Sequence, residues 1–451
     1  MPALLFAGPT LGFSVAGPAL SGVQRRLPNM MKKILLVTRV FPPSANPEAL
    51  CTGKLAFALG DADINVTVVT LVGNEPMRQN DAAYLAHRNV SVIRVPGCTD
   101  RWARRAGAYL RSWWEVRTPV ADAFSVRALA GSARALLSQK QFDLIYARGL
   151  PAAGFLAGCL AAESSDVPWA CHLSDPWPRF LLPEPYRRQL FRIRNLWNER
   201  RWLQRIVRSA IGISVPSRKM VGYLRARSAE YSRCEFMVVP PVSFRPAIGS
   251  PARGKPIAAP RAKLRIVYTG NIDSSRDIQP LFRAIRQASS DELNSFDVTF
   301  MVPNAKPIER LREQYDLGTV VRCIGAGSYQ DAQRLAAEAD ALLLIEANTA
   351  EGVFLPSKFV DYCSTGKPIL ALTPDGSEVS RYLSDGGGVA VPPDDVGKIA
   401  DALARLCSDL RVGRLPDLSS NRLLEHFAPA QVVKGFMEGV ENLIQSHQTV
   451  A

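Results

Sequence analysis

Ser357, Lys358 and Asp361 are the side chains whose types and spacing best suit a phosphorylated ligand. They lie in the stretch Glu351-Gly-Val-Phe-Leu-Pro-Ser-Lys-Phe-Val-Asp-Tyr-Cys-Ser-Thr-Gly-Lys-Pro368. The apolar run Ala341 to Ile345 predicts a buried parallel strand leading into it. Pro356 and Ser357 predict a helix start, because proline suits a first turn and serine can accept from backbone N–H groups left without helical partners. The helix would run to about Ser364, with Gly366 as a left-handed cap and Pro368 opening the next strand. A helix start bearing a serine and a lysine favours a phosphate. Asp361 falls one turn after Lys358 on the same face, where it could accept from sugar or ribose hydroxyls. An ordinary strand–helix unit with a solvated lysine and aspartate fits the same residues.

The elements that must position these groups form an alternating series. Strands are predicted at 33–38, 66–71, 91–95, 142–147, 168–173, 211–215 and 236–239, and then at 264–269, 296–302, 320–324, 341–346, 368–372 and 388–392. Helices are predicted between them, for instance at 49–60, 125–138, 151–163, 187–208 and 217–227, with a closing helix at 429–445. Strand–helix alternation implies parallel sheets with helices on both faces. At 451 residues the chain exceeds one ordinary core. Residues 240–261, rich in Pro, Gly and Ala, read as a linker. The expected organisation is 1–30 disordered or a wrongly assigned start, 31–240 a first Rossmann-like domain, 241–262 a linker, 263–428 a second such domain, and 429–451 a helix crossing back to the first. Two such domains enclose a cleft between the carboxyl ends of their strands, where open α/β sheets bind ligands.

Composition removes several function classes. With 47% hydrophobic and 21% charged residues the chain reads as soluble and globular, and no apolar run reads as a spanning helix. The eight cysteines form no C-x-x-C pair, so reduced core thiols are expected, and with them a cytoplasmic location. Neither G-x-G-x-x-G nor G-x-x-x-x-G-K-[ST] occurs, which weighs against dinucleotide binding and NTP hydrolysis. No metal is expected: the one D-x-D, Asp61-Ala-Asp63, falls in a turn between a helix and a strand. Residues 1–240 hold 32 Lys+Arg against 16 Asp+Glu, so the whole net charge of +14 originates in the first half. Nucleic acid, an anionic membrane or an anionic substrate would each suit that asymmetry.

From Tyr268-Thr-Gly-Asn-Ile-Asp-Ser-Ser-Arg276 onward the chain resembles the donor-binding domain of retaining GT-B glycosyltransferases of family 4. Leu355-Pro-Ser-Lys-Phe-Val-Asp-Tyr-Cys-Ser-Thr-Gly-Lys-Pro368 is similar to the P-S-K subgroup of bacterial polysaccharide enzymes, and Leu35-Leu-Val-Thr-Arg-Val-Phe-Pro-Pro43 to the family's first strand and loop. The resemblance covers about 400 residues and implies the GT-B fold. It implies a donor diphosphate at Gly270, Asn271 and Arg276, whose guanidinium fork suits such a group. A nucleobase would lie on the backbone of the Gly325 loop, and the ribose near Asp361. On the acceptor side it points to the loop Pro42, Pro43, Ser44. Asp175 would orient the sugar or the acceptor hydroxyl; His172 fits a participant or a satisfied strand residue. Arg148 could touch an anionic acceptor or pair with Asp175.

The resemblance also implies that no cofactor is needed beyond a UDP- or GDP-sugar co-substrate. Retention would proceed with the departing diphosphate taking the acceptor proton, and Arg276, Lys358 and the Ser357 helix start would stabilise its charge. Three departures stand out. Val353 replaces the first of the family's two spaced glutamates, with Glu351 near enough to substitute only if the loop is shifted. Asn271 replaces an arginine, and Ser44-Ala-Asn-Pro-Glu-Ala49 replaces a double glycine. A catalytically silent relative and a nucleotide-sugar 2-epimerase of the same fold are the alternatives.

Residues 187–208 carry eight Arg and one Glu. At 100° per residue Leu190, Ile193, Leu196, Trp197, Leu203 and Val207 share one face, expected to be core, leaving Phe191 and Trp202 outside beside arginines. With the similar mixture at 101–117, this predicts contact with an anionic membrane surface and a peripheral place on its inner face. No nucleic-acid recognition motif accompanies the charge. A lipid-linked or glycan acceptor in polysaccharide assembly would explain charge and aromatics together.

Overall fold

In the computed structural model, residues 31–44, 46–72, 87–97, 123–149, 152–187, 193–243, 263–287 and 296–450 are described. Residues 1–30, 101–117 and most of the linker lie outside them, as do Leu190, Phe191 and Cys98.

Among the described residues thirteen strands form two sheets, each paired in parallel throughout. The first contains β1 (Lys33–Thr38), β2 (Asn65–Leu71), β3 (Val90–Val95), β4 (Leu144–Arg148), β5 (Trp169–His172), β6 (Gly212–Val215) and β7 (Phe236–Val238), in the order β3-β2-β1-β4-β5-β6-β7. The second contains β8 (Leu264–Thr269), β9 (Phe296–Met301), β10 (Val321–Ile324), β11 (Ala341–Ile345), β12 (Ile369–Leu372) and β13 (Gly388–Val391), in the order β10-β9-β8-β11-β12-β13. The central strands are covered on both faces, which is why they read as unbroken apolar runs. In β1, Leu35 and Val37 pack with the helices Ala123–Leu137 and Ala153–Ala162. Ile34 and Leu36 face the opposite way, into a core shared with the helices Pro47–Asp61 and Pro429–Val450. The helix Ala153–Ala162 lies close on β4, since a side chain at Gly158 would meet Ala147 Cβ at 2.2 Å.

The closing helix, Pro429–Val450, belongs to the first sheet's packing. Phe436 is fully buried and makes a T-shaped contact with Tyr146 of β4 at 4.9 Å. Leu443 fills the space over Gly212, and Gly439 lies against Met237.

The arginine-rich helix, Ile193–Ser209, buries Leu203 and packs Val207 against the first core as its periodicity predicts, but exchanges the two tryptophans. Trp202, Leu203 and Ile206 are buried, while Trp197 is 65% exposed. Arg205 stacks over Trp202 at 4.9 Å and Arg201 over Trp197 at 4.4 Å. Arg200 pairs with Glu230 at 3.0 Å and Arg205 pairs with Glu163, so part of the basic face is neutralised within the protein. Asp61 and Asp63 meet His87 and Arg88 at 2.9 and 3.1 Å. The seven described cysteines are free thiols, six of them buried. Among the described residues no helix is long and apolar enough to cross a membrane.

Candidate active site between the two sheets

Both sheets have a topological switch point, between β1 and β4 in the first and between β8 and β11 in the second. There the outgoing connections diverge to opposite faces and leave a crevice at the strands' carboxyl ends. Most of the expected residues lie at these two places, whereas Gly325 follows β10 at the edge of the second sheet.

At the second switch point Gly270 follows β8 with φ +108°, a conformation that favours glycine. A side chain at this position would lie 2.9 Å from Lys358 Nζ, so its absence makes room for the ammonium. Lys358 Nζ stands 3.8 Å from the centroid of the Tyr268 ring, an attractive placement for a cation. Among the described residues no carboxylate or hydrogen-bond acceptor pairs with it. Burial, and then the charge of Arg276, pull Lys358 well below the usual lysine range. The Arg276 side chain is held from two sides: Nε donates to Ile345 O at the end of β11 (3.1 Å) and Nη1 to Asp273 Oδ2 (2.7 Å). Two cations therefore converge where a strand, its loop and the next strand meet.

Glu346, the residue directly after β11, is buried at the same crevice, and Thr373 Oγ1 donates to it. Burial raises its carboxyl to about 7, against the opposing influence of that hydrogen bond, Arg276 and Lys219. Tyr186 reaches this loop from the first domain; it hydrogen-bonds Ser275 and packs edge-on against Phe354 at 5.2 Å. The sequence reading passed over both residues. A residue immediately following a strand beside the switch point is a signal by which Glu346 was available.

The helix Ser357–Cys363 begins after Pro356, which makes no side-chain cap, so Ser357 is the first helical residue and not the capping one. Seven residues give the helix little macrodipole, and the two cations dominate the local charge. Gly366 takes the expected left-handed conformation at φ +70°. Asp361 is buried and accepts from Lys54 Nζ at 2.6 Å, an ion pair that joins the helix Pro47–Asp61 to the second domain. Val353 is buried with its carbonyl accepting from Ser217, and Glu351 pairs with Arg227 at 2.6 Å. Glu351 does not stand in for the carboxylate missing at 353. Asn271 exposes its side chain while its carbonyl accepts from Tyr268 OH at 2.7 Å. Gly325 lies exposed, ahead of a capping box in which Ser328 and Asp331 bond each other's backbone N–H.

The first switch point centres on Glu48, which the sequence reading also passed over. Glu48 lies in the first turn of Pro47–Asp61, after an Asn46 cap and a proline, an arrangement that suits an acidic side chain. Arg148 Nε donates to Glu48 Oε1 at 3.1 Å and Ser174 Oγ to Glu48 Oε2 at 2.6 Å. Arg148 is buried and pairs with Glu48, not with Asp175 and not with solvent. Asp175 has no hydrogen-bond partner among the described residues; burial, and then the charge of Glu48, lift its carboxyl to about 6. His172 is buried, and its Nδ1 meets Ser214 Oγ at 2.9 Å and Tyr146 OH at 3.2 Å. Burial, with Arg148 nearby, holds the imidazole well below its usual pKa, as a satisfied strand residue. Pro42 is buried against Gly53, and the Ser44 hydroxyl accepts from Asn46 N–H at 3.3 Å; this loop supports the helix bearing Glu48.

A family model described as a glycosyl transferase 4-like domain matches residues 49–241, and one described as glycosyl transferases group 1 matches residues 263–409. Among solved structures, the chain is similar to sucrose-phosphate synthase from Thermosynechococcus elongatus, with a TM-score of 0.62 at 15% identity over 93% of this chain and 100% of that one. HepE from Anabaena, in complex with UDP-glucose, gives a TM-score of 0.61 at 13% identity over 92% and 99%. A UDP-N-acetylglucosamine 2-epimerase gives 0.55 at 15% identity over 93% and 97%. No curated protein matches the sequence.

Proposed function

Because the chain belongs to the GT-B glycosyltransferases of the family 4 and group 1 type, we propose that it moves a hexose or hexose derivative from a UDP- or GDP-sugar to an acceptor hydroxyl with retention of configuration. One observation carries this reading: Lys358 and Arg276 converge at the second switch point, and Lys358 has no anionic partner among the described residues. A diphosphate there meets a bidentate fork and a point charge together. It would also raise the Lys358 pKa, so nucleotide binding should take up protons. HepE of Anabaena, which shares the fold, holds the same class of ligand.

In the proposed reaction the acceptor oxygen bonds to the anomeric carbon as the bond from that carbon to the diphosphate oxygen breaks on the same face. The acceptor proton passes to the departing diphosphate. Arg276 and Lys358 stabilise the charge growing on that group, inside a crevice where such contacts are worth more than in water. Asp175, across the cleft, accepts from a hydroxyl of the transferred sugar and orients it, leaving the acceptor proton to the diphosphate. The acceptor we favour is lipid-linked, in polysaccharide assembly at an anionic membrane. Trp197, Arg201 and Arg208 form the exposed surface that would meet it.

Calorimetric titration with UDP and GDP tests the donor reading. We expect micromolar binding of one nucleotide, weakened tenfold or more, about 1.4 kcal/mol, in Arg276→Ala and in Lys358→Ala. Gly270→Ala should do the same, since its Cβ would displace Lys358. Binding of neither nucleotide would overturn the reading. The raised carboxyls of Asp175 and Glu346 also suit acid–base chemistry on a bound sugar, as a 2-epimerase would need. Conversion of UDP-N-acetylglucosamine to its 2-epimer, with no acceptor present, would favour that second reading.

A further inference from the structure

Glu48, its side chain 11% exposed, stands out among the charges at the cleft because it serves three partners and faces a fourth. Its two oxygens are taken by different elements, Arg148 from β4 and Ser174 from the turn after β5. Thr52, one turn along the same helix, donates to Glu48 Oε1 at 3.4 Å and to its backbone carbonyl at 2.8 Å. Ser174 precedes Asp175 directly, so the contact that anchors the serine sets where the aspartate points. We propose that Glu48 is the positioning residue of the first-domain wall: by accepting from Arg148 and Ser174 it fixes the turn that carries Asp175, and it faces that carboxyl with a second negative charge. The inference rests on reading Asp175 as part of the reacting centre.

The charged and titratable groups around this turn come from three elements. Glu48 and Cys51 lie on the helix, Tyr146 and Arg148 on β4, and His172 on β5. The cysteine and tyrosine are raised by burial, so they stay neutral near pH 6, and the imidazole is held neutral there. Glu48 and Arg148 are the ion pair among these groups, and Lys54 and Asp361 form a second pair farther along the helix. Arg148 spends its Nε on Glu48, which leaves Glu48 as the charge that opposes ionisation of Asp175.

The test is a pH titration of the Asp175 carboxyl by NMR on full-length protein labelled with carboxyl-13C aspartate, with Asp175→Asn identifying the signal. The wild-type midpoint should fall at about 6. In Glu48→Gln it should drop by about half a pH unit or more, whereas Glu48→Asp, which keeps the charge, should hold it close to wild type. If Glu48→Gln does not fold, because Arg148 loses its carboxylate, Glu48→Gln with Arg148→Met removes both charges and is read the same way. An unchanged midpoint in a folded Glu48 variant overturns the proposal. Failure of the functional reading shows elsewhere: Asp175→Asn would then keep its transfer rate, whatever the titration gives.

Discussion

Asp175→Asn is expected to lower the turnover of sugar transfer by about a hundredfold or more, roughly 2.7 kcal/mol of transition-state stabilisation, while UDP or GDP affinity stays within about twofold of wild type. The asymmetry follows from where the residue sits. Asp175 follows β5 in the first sheet, whereas the cations suited to the diphosphate belong to the second domain, Arg276 in the loop after β8 and Lys358 in the helix Ser357–Cys363. Asparagine keeps the size and one acceptor oxygen but loses the negative charge that would hold the sugar hydroxyl and face the positive charge developing at the anomeric carbon. An Asn variant with near wild-type turnover would remove Asp175 from the mechanism.

The same group sets an acid limb. A carboxylate that accepts from a sugar hydroxyl must be ionised, so activity should fall as pH drops through about 6 and the limb should vanish in Asp175→Asn. Its effect on stability has the opposite slope. Between the unfolded value near 4 and the folded value of about 6, the native state binds more protons than the unfolded one. Asp175 therefore favours folding at low pH, loses that contribution as pH rises through the window, and contributes a constant penalty above it. Activity and stability should thus diverge over the same two pH units, which a pH series of rates and urea midpoints would reveal.

The sheets were legible because their strands are buried on both faces. Runs such as Leu35 to Val37 and Leu342 to Leu344 have no alternation, but they are short and bounded by turn residues, which marks strands, and the intervening helices settle parallel pairing. The helix Ile193–Ser209 was not legible to the same degree. Trp197 and Trp202 lie on different faces, arginines flank both, and periodicity alone does not say which tryptophan is core. Neighbours decide it: Trp202 is covered by Arg205, whose charge is met by Glu163 from the end of a different helix.

Of the second-domain cations, Lys358 was legible from a local helix start and Arg276 from the resemblance of the loop that follows β8. Glu48 was not, because its meaning depends on Arg148 and Ser174, 100 and 126 residues away. Asp361 shows the same limit from the other side. Its position on a helix is local and was anticipated, but its pairing with Lys54 bridges 307 residues. Charge type and helix face can be read from a sequence; which buried charge cancels which follows from the cleft that brings them together.

That cleft is held in part from behind, and Phe436→Ala is the variant expected to cost most in stability, about 3–5 kcal/mol. Phe436 is fully buried where the closing helix crosses the first sheet, edge-on to Tyr146, with Val433, Met437 and Val440 around it. Tyr146 in turn bonds Ser214 at 2.8 Å and His172 at 3.2 Å, so a cavity beneath it loosens the strand ends beside Asp175. The two domains have separate cores, and unfolding need not be a single transition. In calorimetry the first-domain transition should fall by roughly 6–20 °C, at about 2–4 °C per kcal/mol for a unit of this size. The second-domain transition should hold. Lys434→Ala, on the exposed side of the same helix, should change stability by no more than about 0.5 kcal/mol. If Phe436→Ala melts like the Lys434 variant, the closing helix is not docked on β4 in solution. If both transitions fall together, the helix couples the domains, and the Lys54–Asp361 pair across the cleft would then share that load.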